Sequence, residues 1–123
     1  MSQARVIYFG LVALYLAGAV VQFFLAGLAV FGDTSFDLHS VLGFILGIAS
    51  IVLLVVALVG RLPRTLFLLT VLLVGLNVLQ LVLANVDVSE VAALHPVNGV
   101  AIVFLAYELT QRSRRYVASK MAA

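Results

Sequence analysis

Four apolar runs divide the chain: Val6 to Gly32, Leu38 to Gly60, Thr65 to Val86 and Val91 to Tyr107. A helix needs about 20 residues to cross a hydrocarbon core about 30 Å thick, so the first three runs are long enough and the fourth is the shortest. No stretch alternates polar and apolar residues as a barrel strand would, and backbone groups in lipid have to pair within their own segment or in a closed barrel. The pattern therefore predicts an all-α, up-down bundle of four membrane-spanning helices, one domain over residues 1–123, with spans near 6–31, 35–60, 63–85 and 88–112.

The breaks between runs sharpen these limits. Thr34 with Asp37, and Asp87 with Glu90, have the three-residue spacing of capping boxes and predict starts for the second and fourth spans. Pro63 fits the start of the third span after a tight turn. Pro96 either kinks a helix begun at Val88 or opens the main span after a short turn. A start at Pro96 leaves only 16 residues before Arg112, so the kinked helix is the expected form.

Composition fixes the solvent. The chain is 65% hydrophobic, with seven Lys or Arg and five Asp or Glu among 123 residues, which is the make-up of an integral membrane protein. The first run is too long for a cleaved secretory signal. The absence of cysteine excludes disulfides and thiolate ligands. The positive charges form no stripe with interleaved aromatics, which argues against nucleic acid as a partner.

Charge placement gives an orientation instead. Arg5, then Arg61 and Arg64, then Arg112, Arg114, Arg115 and Lys120 fall on one side of a four-span chain, and the other two loops carry Asp33, Asp37, Asp87 and Glu90 without any Lys or Arg. The expectation is a multi-pass protein of the cell inner (cytoplasmic) membrane with both termini cytoplasmic.

Within this frame the only two histidines stand in near-copies of one phrase, Leu38-His39-Ser40-Val41-Leu42-Gly43 and Leu94-His95-Pro96-Val97-Asn98-Gly99. A histidine entering a membrane span needs a partner, a wet cavity or a metal. Gln22, Leu25, Ala26 and Val30 are matched in spacing by Gln80, Leu83, Ala84 and Val88, so the chain reads as a duplicated helix pair. Two such pairs in the same orientation are related by an axis along the membrane normal. His39 and His95 would then face each other between one and two turns inside diagonal helices, near the outer surface. Gly43 and Gly99 lie four residues on, on the same face, and leave space under each ring for a flat ligand.

Simpler roles remain open at each position. Glycines such as Gly43 and Gly47 also suit close helix packing, and interfacial histidines are satisfied by water or carboxylates. Gln22, Asn77 and Gln80 suit interhelical hydrogen bonds of about 1 kcal/mol, or a place in the ligand pocket. Glu108, four residues before Arg112, reads as a surface ion pair.

With these residues in view, the chain resembles one four-helix half of the haem A synthase family and, more loosely, bis-histidine membrane cytochromes b. The Gln22 to Gly27 run and the two histidine phrases also resemble small uncharacterised bacterial four-helix membrane proteins. The resemblance implies haem b ligated through its iron by His39 and His95. It does not extend to the haem A synthase reaction, because that family's catalytic half has a glutamate about one turn before its histidine and this chain has Ser35, Phe36, Val91 and Ala92 there.

No phosphate loop, zinc-protease motif or nucleophile arrangement is present, so binding or electron transfer is expected ahead of catalysis. Three readings follow. The first is a b-type cytochrome exchanging electrons with a quinone or an extracytoplasmic redox partner, or handling haem, with Ser40 and Asn98 near the propionates. The second is a divalent-metal site built from His39, His95 and the outer carboxylates. The third is a cofactor-free accessory subunit whose apolar surfaces meet lipid, a second copy or a larger membrane complex.

Overall fold

The computed structural model describes residues 3–121, without the Lys120 side chain; the chain ends of the expected 1–123 domain lie outside the described residues. Five helices follow in order: α1 (Gln3–Phe31), α2 (Asp37–Val59), α3 (Arg64–Leu83), the single turn α4 (Ser89–Ala92) and α5 (Leu94–Met121). α1, α2, α3 and the α4–α5 unit are each long and apolar enough to cross a membrane. They form an up-down bundle in which α1 packs on α2 and α5, and α3 packs on α2 and α5. α1 and α3 are therefore one diagonal, α2 and α5 the other. Most of each span faces outward, with Phe24, Phe44 and Phe104 among the exposed side chains, which is the surface expected to meet lipid.

Both expected capping boxes fail. Phe36 and Val88 occupy the cap positions without a side-chain cap, and Ser35 Oγ, not Thr34, lies 3.4 Å from the Asp37 amide nitrogen. Ser35 instead donates to the Asp37 carboxylate at 2.6 Å, and Ser89 to Glu90 at 3.0 Å. An exposed helix start has water for its free N–H groups, so a side-chain cap is dispensable there. The fourth span starts next to Val88, close to the start read from the sequence, with Val88 as its cap and Ala93 in helical conformation (φ −61°, ψ −16°) at the break between α4 and α5. Ala93 separates α4 from α5, and Pro96 sits in the first turn of α5, where its missing N–H would have bonded the Ala92 carbonyl. The span retains its length because α5 continues past Arg112 to Met121.

The turn from α2 to α3 is tight, as expected from Pro63. The Arg61 amide donates to the Leu58 carbonyl at 3.1 Å and the Leu62 amide to Ala57 at 3.0 Å, with Arg61 at φ 47°. This is a Schellman ending with arginine where glycine is usual, and it drops Leu62 into the core. Pro63, at ψ 141°, leads into α3.

Apolar burial does not drive helix association in lipid, so packing and interhelical hydrogen bonds have to hold the bundle. The core runs from Tyr8, Val12, Leu66 and Leu109 near the end bearing both termini to Ala19, Leu46 and Ile102 beyond its middle. Two rungs cross the α1–α3 diagonal. Thr70 Oγ1 gives its proton to the Leu66 carbonyl at 2.7 Å, so the Tyr8 hydroxyl is the donor in the 2.5 Å contact between them. One heptad further, Asn77 Nδ2 donates to the Tyr15 hydroxyl and to the Leu73 carbonyl, both at 2.8 Å. The heptads are about 10.5 Å apart along the helices, with fully buried Val12 and Leu73 between them, so these rungs fasten the bundle and do not form a proton wire.

Candidate functional site

The other diagonal carries the histidines. His39 is the third residue of α2, shallower than the one to two turns expected, and His95 is the second of α5, six residues beyond Ser89 where the α4–α5 span starts. They meet at the end of the bundle opposite both termini. Their ring centroids are 6.1 Å apart with planes inclined at 56°, and Phe36 stands edge-on to His39 at 6.0 Å. Both rings are partly buried.

Each ring is held by the same device. His39 Nδ1 lies 3.1 Å from the Gln22 backbone carbonyl, and His95 Nδ1 lies 3.2 Å from that of Gln80. A carbonyl oxygen only accepts, so Nδ1 carries the proton in both rings and Nε2 keeps its lone pair. A fixed Nδ1–H is the orientation that metal-binding histidines have, with the other nitrogen aimed at a ligand. The correspondence of Gln22 with Gln80 read from the sequence is thus a correspondence of contacts.

The space under the rings is filled. A Cβ on Gly43 would come 2.7 Å from Gln22 Nε2, and one on Gly99 would come 3.3 Å from Phe23 Cζ and 3.5 Å from Gln80 Nε2. Each glycine notch therefore receives the carboxamide of the glutamine whose carbonyl orients the histidine above it. The open gap expected at Gly43 and Gly99 is closed in this arrangement, whereas Gly47 has no neighbour near its Cβ position.

The two halves differ in how firmly the amide is held. Asn98, buried at the seam, donates through Nδ2 to Gln80 Oε1 at 2.6 Å and to the Leu76 carbonyl at 2.9 Å. Leu42 occupies the equivalent place in the first half, three residues after His39, and Gln22 Oε1 is buried without a partner. Among the described residues no group of three or more His, Cys, Asp or Glu converges to hold a metal ion, and the Asp37 side chain is engaged with Ser35. Ser40 is exposed at the rim.

Tyr8, Tyr15 and Thr70 escaped the sequence reading, although a signal existed. Tyr8, Tyr15 and Gln22 recur every seven residues along α1, and Thr70 and Asn77 do the same on α3, which marks an inward polar stripe. Glu108 and Arg112 form the expected exposed pair at 2.7 Å.

No curated protein and no solved structure matches the chain, and the likeness to haem A synthases and cytochromes b rests on the quoted motif residues alone. A family model described as a family of unknown function matches residues 22–87, a stretch that contains Gln22, His39, Gly43 and Gln80 and ends before His95. That stretch is more than half of the chain, and the chain therefore belongs to the DUF6220 family.

Proposed function

We propose that this is a haem b-binding membrane protein in which His39 and His95 are the two axial ligands, serving electron transfer or haem handling. The observation that carries the reading is the matched ring pair, with Nδ1 bound to a backbone carbonyl in both halves and centroids 6.1 Å apart. A metal–nitrogen bond of about 2.0–2.1 Å sets each ring centroid about 3 Å from the metal, so two imidazoles across one ion come about 6 Å apart.

The fit asks for one rearrangement. A macrocycle beside the rings needs the notches at Gly43 and Gly99, so the Gln22 and Gln80 amides and the Phe23 ring have to withdraw. Gln22 has no side-chain hydrogen bond to give up, while Gln80 has to release Asn98. Bound there, haem would supply one-electron chemistry, with His39 and His95 as the residues that would hold its iron. The Gln22 and Gln80 carbonyls keep the Nδ1 protons in place and so leave Nε2 of each ring as the ligating atom. Ser40, exposed at the rim, is the polar side chain available for propionates, and Asn98 joins it only when it is released from Gln80.

With the arginine-bearing end cytoplasmic, as the charge pattern favours, the ring pair opens on the outer side of the inner membrane. A quinone or an extracytoplasmic redox protein is then the reachable electron partner, and a second copy or a larger membrane complex is a further candidate for contact with the lipid-facing helices. One haem at this level does not relay electrons across the whole bilayer.

A divalent or cuprous ion between the same imidazoles is the second reading, favoured by the filled notches because an ion needs no slot. Gln22 Oε1 or water would complete its coordination. An absorption spectrum of detergent-purified protein tests both. A Soret band with a sharp α band on reduction is the expected result; colourless protein with stoichiometric metal would select the second reading, and colourless metal-free protein after haem supplementation would sink both.

A further inference from the structure

The two seams that carry the histidines are unequally fastened. Among the described residues, α5 is tied to α3 at the histidine end by three hydrogen bonds: His95 Nδ1 to the Gln80 carbonyl at 3.2 Å, and Asn98 Nδ2 to Gln80 Oε1 at 2.6 Å and to the Leu76 carbonyl at 2.9 Å. α2 has one to α1, from His39 Nδ1 to the Gln22 carbonyl at 3.1 Å. Burial differs in the same sense. Asn98, the fifth residue of α5, is already buried, whereas no side chain of α2 is buried before Leu46, its tenth residue. Close packing and interhelical hydrogen bonds hold helices together in lipid, so the first turns of α2 are the weakly held part of the site.

The same helix has a bending point next to them. Gly47 follows Leu46, and Ser50 Oγ donates to the Gly47 carbonyl at 2.7 Å. A glycine lowers helix stability, a serine bonded back to the preceding turn bends helices, and Gly/Ser pairs are a recurrent place for kinks. Nothing stands within 4 Å of a Cβ on Gly47, so close packing does not explain the missing side chain. Past Ser50, buried Leu53 and Ala57 anchor the rest of α2 in the core. Leu46 rests on Gly18 of α1, where a Cβ would come 3.0 Å from Leu46 Cδ2, and this contact is a fulcrum. On its outward side the α1–α2 seam is parted by an apolar groove of about 610 Å³, with Gly18, Val21, Leu42, Ile45, Leu46 and Ala49 among its walls.

We infer that the Asp37–Leu46 segment of α2 is a lateral gate, which swings about Gly47–Ser50 away from α1 and opens the ring pair to the bilayer. Asp37 lies ten residues before Gly47, about 15 Å, so a bend of about 20° moves the helix start by about 5 Å. The movement breaks the single His39–Gln22 bond and draws Gly43 off the Gln22 amide, while the Asn98 contacts keep α5 on α3. What passes the gate rests on the haem reading: a flat, largely apolar macrocycle would come from the lipid between α1 and α2, meet His95 on the fixed side, and be closed upon by His39.

Because the chain has no cysteine, pairs of spin labels on introduced cysteines test the gate without haem. Phe24 on α1 with Leu38 on α2, and Val82 on α3 with Leu94 on α5, are equivalent positions in the repeat, and all four are exposed. In lipid nanodiscs the first pair is expected to give a broad distance distribution with a component about 5 Å beyond the closed one, and the second pair a single narrow peak. Gly47→Ala fits without a clash, stiffens the helix and is expected to remove the longer component. Leu42→Asn, which gives Gln22 the partner that Gln80 has in Asn98, is expected to do the same without touching the hinge. On haem addition both variants are expected to reach the wild-type low-spin spectrum about fivefold more slowly, in proportion to the lost open fraction. Equally narrow distributions in the two pairs, or a longer component unchanged in both variants, would overturn the gate whether or not haem binds. A broad first pair with no low-spin spectrum would uphold the opening and remove haem as what it admits, so the two readings fail separately.

Discussion

His39 and His95 commit the same atom to the same task, and that symmetry makes their substitution informative. Each Nδ1 is held on a backbone carbonyl, so replacing either ring takes away one of the two imidazoles proposed to hold haem and breaks one hydrogen bond. His39→Ala and His95→Ala are each expected to abolish a low-spin bis-histidine spectrum while the four spans still insert. Unchanged low-spin spectra in both variants would exclude the pair as axial ligands. The amides below them make a second case. Gln80 Oε1 is satisfied by Asn98 and Gln22 Oε1 by nothing, because Leu42 stands in the equivalent place. Asn98→Leu should therefore cost about 1–2 kcal/mol, and Leu42→Asn should gain up to about 1 kcal/mol, by giving Gln22 the donor it lacks. Thermal unfolding in detergent checks both, and two neutral variants would mean that these amides are satisfied by water.

Between elements, the α2–α3 turn carries strain that its function in the fold explains. Arg61 adopts φ 47°, a conformation that costs a side-chain-bearing residue about 1 kcal/mol relative to glycine, in order to turn Leu62 into the core and deliver Pro63 to the start of α3. Arg61→Gly is expected to raise stability by about 1 kcal/mol, measured by the shift of the unfolding midpoint in detergent. A fall instead would mean that the Arg61 side chain holds the turn through a contact worth more than the strain. The proline of this turn was legible because a proline just before a helix needs no missing partner. Pro96 was less so. Its place in the first turn of α5 depends on that helix running on to Met121, and the charged stretch after Arg112 concealed the extra length.

For the molecule as a whole, the two ends of the bundle have opposite characters, and topology is the property that links them to a cell. The arginines gather at one end, and the histidine pair opens at the other among Asp33, Asp37, Asp87 and Glu90. Ser35, Ser89 and Ser119 are exposed and suit reporter cysteines, whereas Ser113 is buried with its hydroxyl on the Thr110 carbonyl. In intact cells, cysteines at Ser35 and Ser89 are expected to react with an impermeant maleimide, and one at Ser119 only after permeabilisation. The reverse pattern would put the histidines on the cytoplasmic side.

The sequence by itself determined four spans, the two-by-two repeat and the identity of the paired histidines. Hydrophobic length and the spacing of rare polar residues are local quantities, readable one segment at a time. It placed the starts of the later spans within two residues but not their caps, since the exposed starts at Asp37 and Ser89 are satisfied by water and need no cap signature. Nor did it reveal that Gln22 and Gln80 fill the Gly43 and Gly99 notches while their carbonyls orient the rings, or that Tyr8 and Tyr15 reach Thr70 and Asn77 across the diagonal. Those facts join residues 15 to 62 positions apart. Such pairings were decided only when four helices closed around one axis, because a side chain's partner is set by which helix faces it, and a single helix's sequence does not contain that information.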